Sequence, residues 1–345
     1  MNAPFAARGT ATALPQPYLL FLGDTTEPGF AKTAFGLRDW AGEKCVGEYA
    51  CGATVSTGLP RLTPAEAVAK GARGLVIGVA NPGGVIPPSW RTSLVEALEA
   101  GLDIVSGMHV RLADIPEVAE VAALLGRRLI DIRVPPGDIP VATGRKRSGK
   151  RLLTVGTDCA LGKKYTALAI ARALEARGID ADFRATGQTG IMIAGGGMPM
   201  DAVISDFEAG AAEVLSPDAA PGHWDVIEGQ GSLAHPAYAA VSLGLLHGSQ
   251  PDVFVVCHEP GRSVMLGTAG YKVATIEEII DLTTALGRRT NPNIRCGGVS
   301  FNSSALGEAE AAALMEAESK RLGLPVADPV RGGPAFDALV ESCLA

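Results

Sequence analysis

Short, mainly apolar runs recur along the chain, each closed by glycine or a polar turn and followed by a stretch of helical period. In the first part these runs fall at residues 18–22, 45–49, 74–79, 103–106 and 129–132. Runs that are apolar throughout, rather than alternating, belong to strands buried on both faces, as in a parallel sheet. Helical stretches lie between them: one through Trp40, one at 89–100 and one at 115–125. Thr63-Pro64-Ala65-Glu66 predicts a further helix start, with Thr63 as cap, Pro64 in the first turn and Glu66 closing a capping box. The strand at 74–79 runs into Ala80-Asn81-Pro82-Gly83-Gly84, a loop placed either to close over a ligand or to hold a turn. This rhythm predicts a Rossmann-like α/β domain over residues 17–133.

Residues 134–150 are rich in proline, glycine and charge and are read as a linker. A second alternation follows over residues 151–345. Its strands are expected at 151–155, 182–184, 224–227, 253–257 and 296–301, and its helices near 165–177, 202–215, 276–288 and 308–322. The fold class expected is therefore α/β, with two parallel-sheet domains in tandem.

Composition narrows the function. A chain of 345 residues with 47% hydrophobic content has apolar material for two cores. A net charge of −7 without a basic stripe gives no footprint for nucleic acid. The densest basic run, Arg145-Lys146-Arg147 with Lys150 and Arg151, is expected to be a solvated linker. The six cysteines form no C-x-x-C pair, so reduced thiols and a cytoplasmic location are expected, with no metal site. No apolar run has the roughly 18–20 residues that span a bilayer. Residues 1–16 lack the pattern of a signal peptide and are expected to be a flexible tail.

The clearest chemical signal is Leu152-Leu153-Thr154-Val155-Gly156-Thr157-Asp158-Cys159-Ala160-Leu161-Gly162-Lys163-Lys164, a strand, a glycine-bounded loop and a helix start. Loop amides and a helix N-terminus hold a phosphate, and Lys163 adds a point charge. Two features depart from the usual loop. The spacing is Gly-x5-Gly-Lys. The residue after the lysine, which normally offers a hydroxyl to magnesium, is Lys164. A second cation there opposes Mg-ATP hydrolysis and suits a phosphate held without metal. Gly156, Thr157, Asp158, Cys159, Gly162, Lys163 and Lys164 are the expected ligand contacts. Cys159 is read as a small filler or, less simply, a nucleophile.

Ligands of open parallel sheets sit at the carboxyl ends of the strands. Arg184 follows the second strand, in Arg184-Ala185-Thr186-Gly187-Gln188-Thr189-Gly190, as either a carboxylate clamp or an ion pair. Glu228 follows the third, with His235 close behind, and His258-Glu259-Pro260-Gly261-Arg262 follows the fourth. Asn302 follows the fifth. His247 is as suited to a structural role as to a catalytic one, and His109 and His223 carry no distinctive context.

The loop Gly156-Thr157-Asp158 with Gly162-Lys163 resembles that of dethiobiotin synthetase-type P-loop proteins, which implies a P-loop NTPase-like second domain and an adenine contact at Asn302. Taken with Phe183-Arg184-Ala185-Thr186-Gly187-Gln188-Thr189-Gly190, Glu228-Gly229-Gln230-Gly231-Ser232 and Ser242-Leu243-Gly244-Leu245-Leu246-His247-Gly248-Ser249, the chain resembles the bacterial D-glutamate N-acetyltransferases across nearly its whole length. That resemblance implies transfer of the acetyl group of acetyl-CoA to the amine of D-glutamate, with an N-acetyl-D-glutamate dehydrogenase acting next. A cytoplasmic homo-oligomer is expected.

An ammonium group cannot attack a thioester, so a base must remove its proton and donors must stabilise the oxyanion. His258 is the first expectation for the base, with Glu259 orienting it, followed by Glu228 and His235. Arg184, Gln188 and Arg262 are the expected substrate contacts. The rival functions are an Mg-ATP-dependent ligase or kinase of dethiobiotin synthetase type and a non-catalytic nucleotide-binding protein.

Overall fold

A computed structural model describes residues 14–345. Of the tail expected at 1–16, residues 1–13 lie outside the described residues. The chain separates into two compact units: residues up to Pro135 together with Gln188–Pro199, and Pro136–Gly187 together with Met200–Ala345.

The first unit holds a five-stranded parallel sheet of order β2-β1-β3-β4-β5, with β1 at Tyr18–Phe21, β2 at Cys45–Tyr49, β3 at Gly74–Ile77, β4 at Asp103–Ser106 and β5 at Leu129–Asp131. β1, β3 and β4 are buried along their whole length, β1 and β3 as unbroken apolar runs and β4 with Asp103 and Ser106 at its ends. Leu19, Phe21, Leu75, Ile77 and Ile104 pack against Trp90, and against Leu94 and Leu98 of α3 (Arg91–Glu99). α2 (Pro64–Ala69) opens with the expected capping box: Thr63 Oγ1 accepts from Glu66 N, and Glu66 Oε2 accepts from Thr63 N at 2.8 Å. The loop after β3 is a fixed turn: the Asn81 side chain bonds Val85 N and O, and His109 N donates to Gly84 O at 2.9 Å.

Segment Gln188–Pro199 is close in sequence to the second sheet but packs in the first unit. Its helix α6 (Gln188–Ala194) lies against α1 (Lys32–Ala41), where the hydroxyls of Thr33 and Thr189 are 3.1 Å apart. Lys44 Nζ donates to Ile193 O at 2.8 Å.

The second unit holds a six-stranded parallel sheet of order β11-β10-β9-β6-β8-β7. Its strands are β6 (Lys150–Gly156), β7 (Ala181–Arg184), β8 (Trp224–Ile227), β9 (Val253–His258), β10 (Arg295–Phe301) and β11 (Val326–Ala327). Strand order turns at β6, so β8 and β9 flank the strand that carries the phosphate-type loop. Leu152, Val226, Val253 and Val255 pack against Ile170 and Leu174 of α5 (Lys163–Ala176) and Leu339 and Val340 of α11 (Gly333–Leu344). The helix expected at 202–215 is shorter: α7 spans Glu208–Leu215, preceded by two short 3-10 turns.

Of the basic run expected to be solvated, Arg145, Lys146 and Lys150 are exposed, but Arg147 and Arg151 are buried. Arg151 is fully buried and donates to the carbonyls of Arg147, Ser148, Ser216 and Pro217. Arg147 donates to Ser216 O at 2.7 Å and Gly248 O at 2.6 Å. A guanidinium carries five donors, enough to satisfy several turn carbonyls from one buried position.

α7 and α8 (Ala239–Ser249) touch backbone to backbone at Gly248, where an added Cβ would lie 2.1 Å from Ala209 O. Gly248→Ala must separate the two helices, at a cost of about 1–3 kcal/mol. Gly222→Ala meets nothing within 4 Å and is the control. Urea denaturation is expected to show the loss in the first variant only, and equal midpoints would refute the close contact.

Candidate functional site

The phosphate-type loop lies between Gly156, the last residue of β6, and Lys163, the first of α5. Gly162 stands at the helix N-cap with φ 100°. Lys163 is buried, and its Nζ donates to Asp158 O at 2.8 Å. Burial holds the lysine below its ordinary value. Asp158 is fully buried: Oδ1 accepts from Cys159 N at 2.6 Å, and Oδ2 accepts from Leu266 N at 2.9 Å and Arg262 Nη1 at 3.1 Å. Lys164 Nζ lies 4.5 Å from the centroid of the Tyr165 ring.

Glu228 stands directly after β8, on one flank of this loop. Its Oε2 accepts from Thr186 N at 2.9 Å and Gly187 N at 3.1 Å. Burial pushes the carboxyl up, and the nearby charge of Lys164 is the first of the influences that oppose it. The backbone then passes under β6: an added Cβ on Gly229 would lie 1.7 Å from Thr154 O, and Gly229 N donates to Thr154 Oγ1 at 2.9 Å. Only glycine permits that approach.

His258 ends β9 on the other flank. Burial lowers its imidazole, against the opposing charges of Glu318 and Glu259, so the ring is neutral near pH 7. Its Nδ1 is 3.0 Å from Thr157 Oγ1. The partner that fixes the ring is thus Thr157, where Glu259 was expected. Glu259 Oε2 instead accepts from Arg262 Nη2 at 2.5 Å and Asn302 Nδ2 at 3.5 Å.

Other expected site residues are engaged internally. His235 is buried, its Nδ1 accepting from Ala237 N at 3.1 Å and its Nε2 lying 3.3 Å from Leu266 O. The first bond requires the ring hydrogen to be on Nε2, which leaves no lone pair for proton abstraction. The same tautomer removes the nitrogen donor from the cluster of Asp158, Cys159 and His235, whose ligand atoms lie within 4.8 Å of one another. Arg262 is shared between Asp158 and Glu259. Arg184 pairs with Asp225 at 2.5 Å and Asp182 at 3.0 Å. Gln188 belongs to the first unit and accepts from Arg133 Nη2 at 2.7 Å. Burial raises the Cys159 thiol, the opposite of what a nucleophile requires. His247 Nε2 lies 3.1 Å from Leu286 O.

The assembled set is therefore Thr157, Lys163, Lys164, Glu228 and His258 around the end of β6, with Asp158, Arg262, Glu259 and Asn302 linked beside it. Thr157's contact with His258 and Asp158's with Leu266 were missed from sequence, because their partners lie 101 and 108 residues away.

Residues 140–340 match a domain of unknown function described as the DUF1611 P-loop domain, and residues 43–135 match the DUF1611 Rossmann-like domain. A D-glutamate N-acetyltransferase from Tritonibacter scottomollicae is 51% identical over 92% of this chain and 96% of its own. A D-glutamate N-acetyltransferase from a Pseudoalteromonas species is 48% identical over 94% of this chain and 98% of its own. The chain belongs to the DUF1611 family. A crystal structure of a DUF1611 family protein from Anabaena variabilis is 32% identical, with a TM-score of 0.83 over 95% of this chain and 98% of that one. The two parallel sheets described above are the Rossmann-like and P-loop domains of DUF1611. Among the described residues no helix is long and apolar enough to cross a membrane.

One cluster of this DUF1611 chain sets a buried histidine among carboxylates. His223 lies 3.2 Å from Asp225 and 3.0 Å from Asp180. The Asp225 hydrogen bond, against burial, raises the imidazole above 6.5. A raised value means that its stabilisation is fully present below about pH 6.5 and is lost as pH rises through the folded-state value. Thermal melts of wild type and His223→Gln are expected to differ most below pH 6.5 and to converge above it. A gap that widens with pH would refute the protonated contact.

Proposed function

We propose that this protein transfers the acetyl group of acetyl-CoA to the amine of D-glutamate, with the coenzyme's phosphates held by Lys163, Lys164 and the loop amides without magnesium. The observation that carries the reading is Lys164. It occupies the position of a P-loop metal ligand, and its charge opposes the burial of Glu228, the carboxylate placed where such proteins hold their metal. An ammonium here neutralises phosphate directly and leaves no hydroxyl for a divalent ion. Relatives named D-glutamate N-acetyltransferase at 51% and 48% identity support the acceptor and the reaction. Asn302, directly after β10, is the candidate for the adenine contact. The product of this reaction is an N-acetylated amino acid, the substrate that a partner N-acetyl-D-glutamate dehydrogenase requires. A cytoplasmic, homo-oligomeric enzyme is part of the same proposal.

The purified protein is expected to release free CoA from acetyl-CoA when D-glutamate is added in a chelator, and not when L-glutamate is added. Hydrolysis of Mg-ATP in place of CoA release would favour the ligase or kinase alternative. Lys164→Thr removes one charged phosphate contact, worth about 1.5 kcal/mol, and is expected to raise KM for acetyl-CoA roughly tenfold. An unchanged KM would remove Lys164 from coenzyme binding.

A further inference from the structure

Acetyl transfer needs a proton acceptor for the amine and a donor for the oxyanion, and the contact between Thr157 and His258 bears on which of these the histidine can be. Thr157 is fully buried. Its hydroxyl carries a hydrogen, and the one side-chain or backbone acceptor within reach among the described residues is His258 Nδ1, at 3.0 Å. A neutral imidazole has one N–H and one lone pair. With the hydrogen on Nδ1, two hydrogens would face each other unless the hydroxyl turned away, and the hydroxyl would then be buried without an acceptor. With the hydrogen on Nε2, the hydroxyl donates to Nδ1 and both groups are satisfied. The second arrangement leaves Nε2–H without a protein partner among the described residues, on a half-buried ring steadied by Phe301 at 5.7 Å between centroids.

Glu228 has the complementary form. Its Oε2 takes both backbone amides, and its Oε1 accepts no hydrogen bond among the described residues. β8 and β9 each neighbour β6, so the two side chains stand on opposite flanks of the loop.

We propose that Thr157 holds His258 in the Nε2–H tautomer, so that His258 donates to the thioester oxygen during transfer and Glu228, not His258, accepts the proton of the amine. The proposal rests on the acetyl-transfer reading. The substrate ammonium gives one proton to Glu228 Oε1. The freed lone pair forms the C–N bond while the carbonyl electron pair moves to oxygen and is held by Nε2–H. Collapse of the tetrahedral centre breaks the C–S bond, and the departing thiolate takes the second nitrogen proton. The proton on Glu228 returns to solvent. A neutral imidazole acting as an electrophile is known chemistry for enzymes that must not protonate outright.

The tautomer is read without substrate by nitrogen NMR of ring-labelled histidine in the intact protein, with His258→Gln identifying the signal. Nε2 bearing the hydrogen in wild type, and a mixed population in Thr157→Val restored by Thr157→Ser, is the expected result. Nδ1 bearing the hydrogen in wild type would overturn the proposal whatever the enzyme's activity. In turnover, His258→Gln keeps an N–H but cannot abstract a proton. It is expected to retain at least tenfold more kcat than His258→Ala, within the 10²–10³-fold span of one oxyanion donor. Equal loss in both variants would return His258 to the role of base. Absence of CoA release in wild type would count against the acetyl-transfer reading, while the NMR result would still decide the tautomer.

Discussion

Lys163 is an amine with almost no access to water, and the second unit's phosphate-type loop is arranged around that fact. Burying a charge is costly unless partners meet it. Its Nζ is met by the carbonyl of Asp158, while the Asp158 carboxylate is itself buried and must be met in turn. Arg262 and Leu266 N meet it, Glu259 meets Arg262, and Asn302 meets Glu259. One chain of contacts therefore fixes the loops after β6, β9 and β10 together. The loops are not independent ornaments on a sheet. A change at Arg262 leaves the buried Asp158 without its charged partner.

The same constraint explains how a nucleotide-type scaffold can serve acyl transfer. In phosphoryl transfer, charge develops on the reacting phosphate, and magnesium stabilises it. In acyl transfer the charge develops on a carbonyl oxygen, and on the proposed reading the coenzyme's phosphates only anchor. A metal at the loop would then have no transition-state charge to neutralise. On the reading proposed above, an ammonium at position 164 supplies the anchor without a coordination shell to fill, and its charge opposes the effect of burial on Glu228. A single residue change at the metal position is in this sense a change in where the scaffold places its positive charge.

The strands were legible in the sequence because each is a short run with an apolar core, unbroken in β1 and β3 and interrupted by a charged or polar residue in β2, β4, β5, β7 and β8. The start of α2 was legible because Thr63 and Glu66 carry their signal locally. What was not legible depends on distant partners. α6 is only seven residues long with Gly190 inside it, and its burial comes from α1 more than 140 residues earlier. Within the run at 145–151, Arg145, Lys146 and Lys150 are solvated as their basic composition suggests, whereas Arg147 and Arg151 are buried against the carbonyls of the turn at Ser216 and Pro217. At the site, Glu228 and His258 were readable as polar residues at strand ends. Which carboxylate orients a histidine, and which arginine is already paired, were not readable, because Arg184 and Arg262 meet acids 41 and 104 residues away.

Burial moves Lys163 down and Glu228 up, and each is also among the charges that act against the other's shift. The two displacements are one effect seen from opposite signs. Both groups favour their neutral forms in a dry site, and each recovers its charge as the other does.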